Sequence, residues 1–165
     1  MHSLRLLGLS AALLLGTQIA HAAPRDIYPA PEQAKADLAA ALKTAAATHK
    51  RILLDFGGNW CGDCHVLDYY MHNTVNLPIL EANFVVVHIN IGHMDENLDL
   101  AGKYQIPLRL GVPALAVLTE RGTLLYSQKN GEFEKMARME SSDLTRFLAQ
   151  WKPVKAGCSA VELTC

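Results

Sequence analysis

Residues 52–64 read Ile52-Leu53-Leu54-Asp55-Phe56-Gly57-Gly58-Asn59-Trp60-Cys61-Gly62-Asp63-Cys64. The apolar run at its start is short enough for a buried strand, and the glycines that follow break it. Two thiols then stand with two residues between them where the next helix opens. A helix N-terminus carries partial positive charge, which favours a thiolate there. The thiolate, not the thiol, attacks a disulfide. The second sulfur lies one helical turn on, within reach of the first. The stretch therefore points to a chain that makes, breaks or relays disulfides.

Outward from this stretch, helices and strands alternate. Pro31 suits the first turn of a helix. Glu32 to His49 is rich in alanine, with Leu38 and Leu42 four apart, which predicts that helix. Arg51 to Phe56 is predicted as a strand, Cys61 to Met71 as the C-x-x-C helix, and Leu77 to Ala82 as a helical turn. Phe84 to Ile91 is dense in β-branched residues and predicts a second strand. Asn97 to Tyr104 is predicted helical. Ala114 to Thr119 and Leu124 to Ser127 are predicted as an antiparallel hairpin turning through Arg121-Gly122. Asp143 to Trp151 closes the series as a helix, with Ser142 as its N-cap. This order predicts an α/β fold whose central mixed sheet is flanked by helices. The C-x-x-C then falls at the carboxyl end of a central strand, where open α/β sheets carry their chemistry.

The 165 residues divide by composition. Residues 1–22 have a signal-peptide pattern. Arg5 is its positive charge, Leu6 to Ala20 is apolar but short for a membrane span, and Ala20-His21-Ala22 fits a cleavage site. The alternative is an uncleaved anchor, but no basic stop-transfer cluster follows. Export to a periplasm or secretion is therefore expected, with no stable membrane insertion after cleavage. Residues 23–30 read as an extended leader broken by prolines, 31–152 as one domain, and 153–165 as a tail with two cysteines. Fifteen basic and sixteen acidic residues give a net charge of −1, and losing Arg5 makes it −2. That balance argues against nucleic acid as a partner. All four cysteines follow the signal, in a chain expected to meet oxidising conditions.

The chain resembles the thioredoxin superfamily in Ile52-Leu53-Leu54-Asp55-Phe56, Trp60-Cys61-Gly62-Asp63-Cys64, Lys103-Tyr104-Gln105-Ile106 and Gly111-Val112-Pro113, in that order. The resemblance implies a thioredoxin-like fold and a thiol-disulfide oxidoreductase. It implies Cys61 as the attacking thiol and Cys64 as the more buried resolving thiol. The matching Asp55 would assist proton transfer at Cys64. A carboxylate within an apolar strand suits that task, because burial disfavours its charged form. Val112-Pro113 matches a cis-proline site whose backbone would lie beside Cys61 and pair with an extended substrate. Trp60 would cover one side of the site. Each residue also has a plainer reading: a static disulfide, a satisfied carboxylate, an ordinary edge-strand proline and a packing tryptophan.

The catalytic set is thus Cys61, Cys64 and Asp55, and the substrate-binding set is Trp60, Val112 and Pro113, with no metal or organic cofactor. Protein thiols and disulfides, and an upstream redox partner, are the expected partners of a monomer. The alternative is an exported module binding a soft metal through Cys61, Cys64 and a nearby histidine. A zinc site needs about four ligands. His72, His88 and His93 have no metal-ligand spacing, and His88 reads as a hydrogen-bonded core histidine. His65 either favours the thiolate or has no role.

Three departures from the family pattern stand out. Gly62-Asp63 replaces the Gly-Pro common in thioredoxins, and an acid between the thiols opposes the Cys61 thiolate, although the helix dipole offsets part of this. That favours a more reducing couple. Gly57-Gly58-Asn59 replaces bulkier residues, which predicts a wider or more mobile loop. Pro107-Leu108-Arg109-Leu110 lengthens a connection beside the expected groove. In the tail, Cys158 and Cys165 are expected to pair with each other, against the alternatives of a second redox pair or an intermolecular bridge.

Overall fold

The computed structural model describes residues 26–154. The signal sequence and its cleavage site, and Cys158 and Cys165 with their expected pairing, lie outside the described residues. Four strands form one mixed sheet in the order β2-β1-β3-β4. They are β1 (Arg51–Gly57), β2 (Phe84–Asn90), β3 (Ala114–Leu118) and β4 (Leu124–Ser127). β2 runs parallel to β1, while β3 is antiparallel to β1 and β4 antiparallel to β3. The expected α/β architecture and terminal hairpin are both present. The hairpin turns where Gly122, at φ 84°, donates its N–H to the Thr119 carbonyl at 3.0 Å.

Among the described residues five helices flank the sheet: α1 (Ala34–Thr48), α2 (Gly62–Met71), α3 (Asn76–Asn83), α4 (Leu98–Lys103) and α5 (Ser141–Trp151). Pro31 opens a 3-10 turn that leads into α1, as its fixed φ predicts. β1 is central, so its run is apolar on both faces and buried from Ile52 onward. Ile52, Leu54 and Phe56 pack with Leu38, Ala41 and Ala45 of α1. Leu53 packs with Leu67 and Met71 of α2 and with Leu144 and Leu148 of α5. Alternation puts Asp55 on the Leu53 face, beneath the C-x-x-C helix. Burying each of these leucine, isoleucine and phenylalanine side chains contributes roughly 1.5–3 kcal/mol. This packing holds the carboxyl end of β1 in place, and the two cysteines follow directly from it. Among the described residues no helix is long and apolar enough to cross a membrane.

The last helix corrects one expectation. It starts at Ser141, and Glu140 rather than Ser142 is its N-cap. The Glu140 N–H donates to the Asp143 carboxylate at 2.9 Å, so the acid three residues on fixes the start. The lengthened connection is a 3-10 turn over Leu108–Leu110, which ends at Gly111 with φ 112°. The described part of the leader is not an outlying arm. Ile27 and Tyr28 are buried in the core, and the Asn90 side chain donates to the Pro29 carbonyl at 2.8 Å.

Candidate active site

Cys61 is the N-cap of α2 and is joined to Cys64 by a disulfide, with α-carbons 5.2 Å apart. The Cys64 N–H donates to Cys61 Sγ at 3.1 Å. An amide at a helix start thus points at the outer sulfur, the arrangement that stabilises a thiolate after reduction. Cys61 keeps 6% of its surface exposed and Cys64 none. The outer sulfur is therefore the one a substrate can reach.

The Val112–Pro113 peptide bond is cis. Its loop brings the Val112 carbonyl oxygen to 3.5 Å from Cys61 Sγ. Val112 and Pro113 therefore stand beside Cys61, where the family resemblance placed them. Trp60 is 49% exposed and flanks the same sulfur in the chain. Its indole N–H donates to the Gly92 carbonyl at 2.6 Å and its ring stacks on His93. Near this side an open cleft is lined by Met94, Leu98, Leu108, Arg109, Leu110 and Gly111.

Behind the disulfide the surroundings differ. Asp55 is 1% exposed. Its Oδ2 accepts the Tyr28 hydroxyl at 2.8 Å and is hydrogen-bonded to His88 Nδ1 at 2.9 Å. His88 faces Asp55 because the two residues are directly paired in the β1–β2 register. Its ring also meets the Tyr28 ring edge-on at 5.4 Å. Burial, reinforced by the Asp55 charge and hydrogen bond and by Asp68, pushes the Tyr28 phenol well above its usual pKa. Tyr28 is thus a neutral donor at physiological pH.

The glycine loop is pinned rather than loose. Asn59 Oδ1 accepts the N–H groups of Ile27 and Tyr28, and Asn59 Nδ2 donates to the Tyr28 carbonyl. The glycines leave room for neighbours. A Cβ at Gly57 would lie 2.3 Å from the Tyr28 oxygen and 2.8 Å from Cys64 Sγ. A Cβ at Gly58 would lie 2.6 Å from the Trp60 indole nitrogen. Asp63, between the cysteines, accepts the Ala137 N–H at 2.7 Å, so its charge also anchors the segment before α5. His65 Nε2 is hydrogen-bonded to the Asn59 carbonyl at 2.9 Å. Among the described residues no group of three or more His, Cys, Asp or Glu side chains is arranged to hold a metal ion.

A family model described as thioredoxin-like matches residues 33–119. The chain belongs to the thioredoxin-like family. A disulphide isomerase from Xylella fastidiosa Temecula1 is 34% identical, with a TM-score of 0.72, over 77% of this chain and 97% of that one. A thioredoxin from Thermus thermophilus shares the fold at 21% identity, with a TM-score of 0.51, over 74% of this chain and 83% of its own. No curated protein matches the chain by sequence.

Within this thioredoxin-like site the structure brings together Cys61, Cys64, Val112 and Pro113, with Asp55 on the inner side. Sequence reasoning missed Tyr28, the Asp55–His88 pair and the role of Asn59. His88 did carry a signal, being a polar residue in an apolar strand like Asp55 in its own. Tyr28 carried little, since a single aromatic between prolines has no period to place it.

Proposed function

We propose that the protein is an exported thiol-disulfide oxidoreductase that works as a reductant of protein disulfides. The observation that carries this reading is the Cys61–Cys64 disulfide at the start of α2, with the outer sulfur beside Val112 and the inner one buried. In the reduced protein Cys61 attacks a substrate disulfide. One substrate sulfur leaves and the other forms a mixed disulfide with Cys61. Cys64 then attacks Cys61 Sγ, closes the internal disulfide and releases the second substrate thiol. An upstream dithiol partner restores the reduced pair. Asp55 exchanges the proton of Cys64, and Trp60, Val112 and Pro113 form the edge on which an extended chain lies.

The reducing direction rests on Asp63. Its negative charge between the thiols disfavours the Cys61 thiolate, and a less stabilised thiolate makes the couple more reducing. Export rests on the pattern of residues 1–22. Insulin reduction at the expense of dithiothreitol tests the reading, with metal content of the reduced protein measured alongside. Catalysed precipitation of the insulin B chain is expected. A protein that binds Cu(I) through the pair and leaves insulin intact would overturn it. The similarity to a disulphide isomerase favours a second reading, shuffling of wrong disulfides. Recovery of scrambled ribonuclease without net reduction would select that one.

A further inference from the structure

We propose that Tyr28 is the proton bridge between the resolving thiol Cys64 and the Asp55–His88 pair, so that the segment ahead of the first helix completes the active site. The inference rests on the oxidoreductase reading and assigns an acid–base residue to its second step.

Tyr28 Oη and Cys64 Sγ both crowd the space that the missing Gly57 side chain leaves open, at 2.3 and 2.8 Å from where its Cβ would be. Tyr28 gives its one hydroxyl proton to Asp55 Oδ2. A phenol oxygen that donates still has lone pairs to accept with. It can therefore take the Cys64 proton while passing its own to Asp55. Asp55 Oδ1 is buried and has no hydrogen-bond partner among the described residues, so a proton arriving at this carboxylate meets no competing donor there. His88, with 23% of its side chain exposed against 2% for Asp55, connects the pair towards solvent. Two anchors hold the bridge in place. Asn59 ties the Ile27 and Tyr28 backbone, and Asn90 ties the Pro29 carbonyl. The titratable groups around Tyr28 are Asp55 on β1, His88 on β2, and Cys64 and Asp68 on α2.

In the mixed disulfide, the Cys64 proton moves to Tyr28 Oη as the Tyr28 proton moves to Asp55. The Cys64 thiolate attacks Cys61 Sγ, the Cys61–Cys64 bond forms and the Cys61–substrate bond breaks. The substrate sulfur leaves with the electron pair and is protonated by water. Over both steps the cysteine pair loses two electrons and the substrate disulfide gains them.

The test is a two-phase reaction of the reduced protein with 5,5′-dithiobis(2-nitrobenzoate). The first phase releases one chromophore as Cys61 is capped, and the second releases another as Cys64 resolves. In Tyr28→Phe the first phase is expected to keep its rate. The second is expected to fall on the order of a hundredfold, the lower end of what a positioned acid–base group contributes. Its rate should then rise with hydroxide concentration, where the wild-type profile is flatter. Asp55→Asn should slow the same phase, and combining it with Tyr28→Phe should slow it no further. A second phase in Tyr28→Phe as fast as wild type, or two losses that multiply, would overturn the bridge. If Tyr28→Phe does not fold, the wild-type reaction in D2O decides. The second phase must slow more than the first, and equal slowing overturns the bridge. A wild-type protein with no first phase would instead overturn the oxidoreductase reading itself.

Discussion

The two sulfurs of the disulfide sit three residues apart, yet their surroundings come from different parts of the chain. The outer one, Cys61, is shaped by its own helix start, by the neighbouring Trp60 and by the Val112–Pro113 loop. The inner one, Cys64, is fully buried beside Tyr28, from a segment ahead of the first helix, and Gly57, at the end of β1. Beyond Tyr28 stand Asp55 and His88, from the two parallel strands. In the proposed function the outer side meets a substrate, and in the proposed bridge the inner side moves a proton out of an apolar core. Burial is what separates the tasks. A thiol with no water contact has nowhere to put its proton unless the protein supplies an acceptor.

The sharpest way to break this division is to remove each sulfur in turn. Cys61→Ser is expected to abolish disulfide reduction. Cys64→Ser should still attack and should accumulate mixed disulfides, visible as a mass increase under non-reducing conditions. Activity surviving in Cys61→Ser would contradict the assignment of the outer sulfur.

Gly57→Ala attacks the inner side without removing a reacting group. The new methyl group would meet the Tyr28 oxygen and Cys64 Sγ well inside contact distance. Overpacking of this kind costs about 1–3 kcal/mol. The variant should show a lower urea midpoint and a slowed resolving step, while Gly62→Ala, where a Cβ meets nothing within 4 Å, should show neither. Equal stability of the two variants would contradict the close packing behind the disulfide.

Alkaline pH probes the same side. The Tyr28 phenol is raised well above 10.0 by burial, and the Tyr126 phenol is raised to about 12 by burial. An unfolded tyrosine loses its proton near pH 10, before the folded one does, so between those values the folded state holds more protons. Stability from these groups is complete below about pH 10 and is lost as pH rises through the folded pKa. Melting temperature should therefore fall steeply above about pH 10 in wild type and less steeply in Tyr28→Phe. Identical alkaline slopes would mean that Tyr28 is not buried against Asp55.

The smallest effect belongs to the outer side. Asp63→Asn removes a charge and keeps an oxygen to accept the Ala137 N–H. Asp63→Pro removes both charge and acceptor. Both should make the couple more oxidising, by about 30 mV or less, which is roughly 1.4 kcal/mol for two electrons. Only the proline variant should also lose protection of the Ala137 amide from hydrogen exchange. A potential unchanged in both variants would separate Asp63 from the redox chemistry.

The outer half of the site was legible because contiguous stretches write it. Ile52 to Phe56 predicts a strand, Cys61 to Cys64 a helix start, and Val112-Pro113 needs only the family resemblance to be placed. The inner half depends on tertiary placement. Asp55 meets His88 only because β1 and β2 pair in parallel with that register. Nothing local to Phe84–Asn90 encodes the register. Tyr28 comes to the site through Asn59, the last residue of the Gly57-Gly58-Asn59 loop, which pins the segment with three hydrogen bonds. By sequence the glycines before Trp60 predict a wider or more mobile loop. Here they make close approach available to a phenol and an indole, a role that depends on what packs there. The misplaced start of α5 has a similar cause. Ser142 is a good cap by type, but the Glu140–Asp143 pairing places the helix start two residues earlier, at Ser141 rather than Asp143.

The reduction potential of the Cys61–Cys64 pair tests the central claim most directly. The protein is equilibrated across a series of reduced and oxidised dithiothreitol ratios, and the oxidised fraction is read by alkylation and mass. A reductant of protein disulfides should titrate as one two-electron couple near the thioredoxin value of about −270 mV. A couple near −120 mV, the value of a strong disulfide donor, or a disulfide that does not exchange at all, would contradict the account.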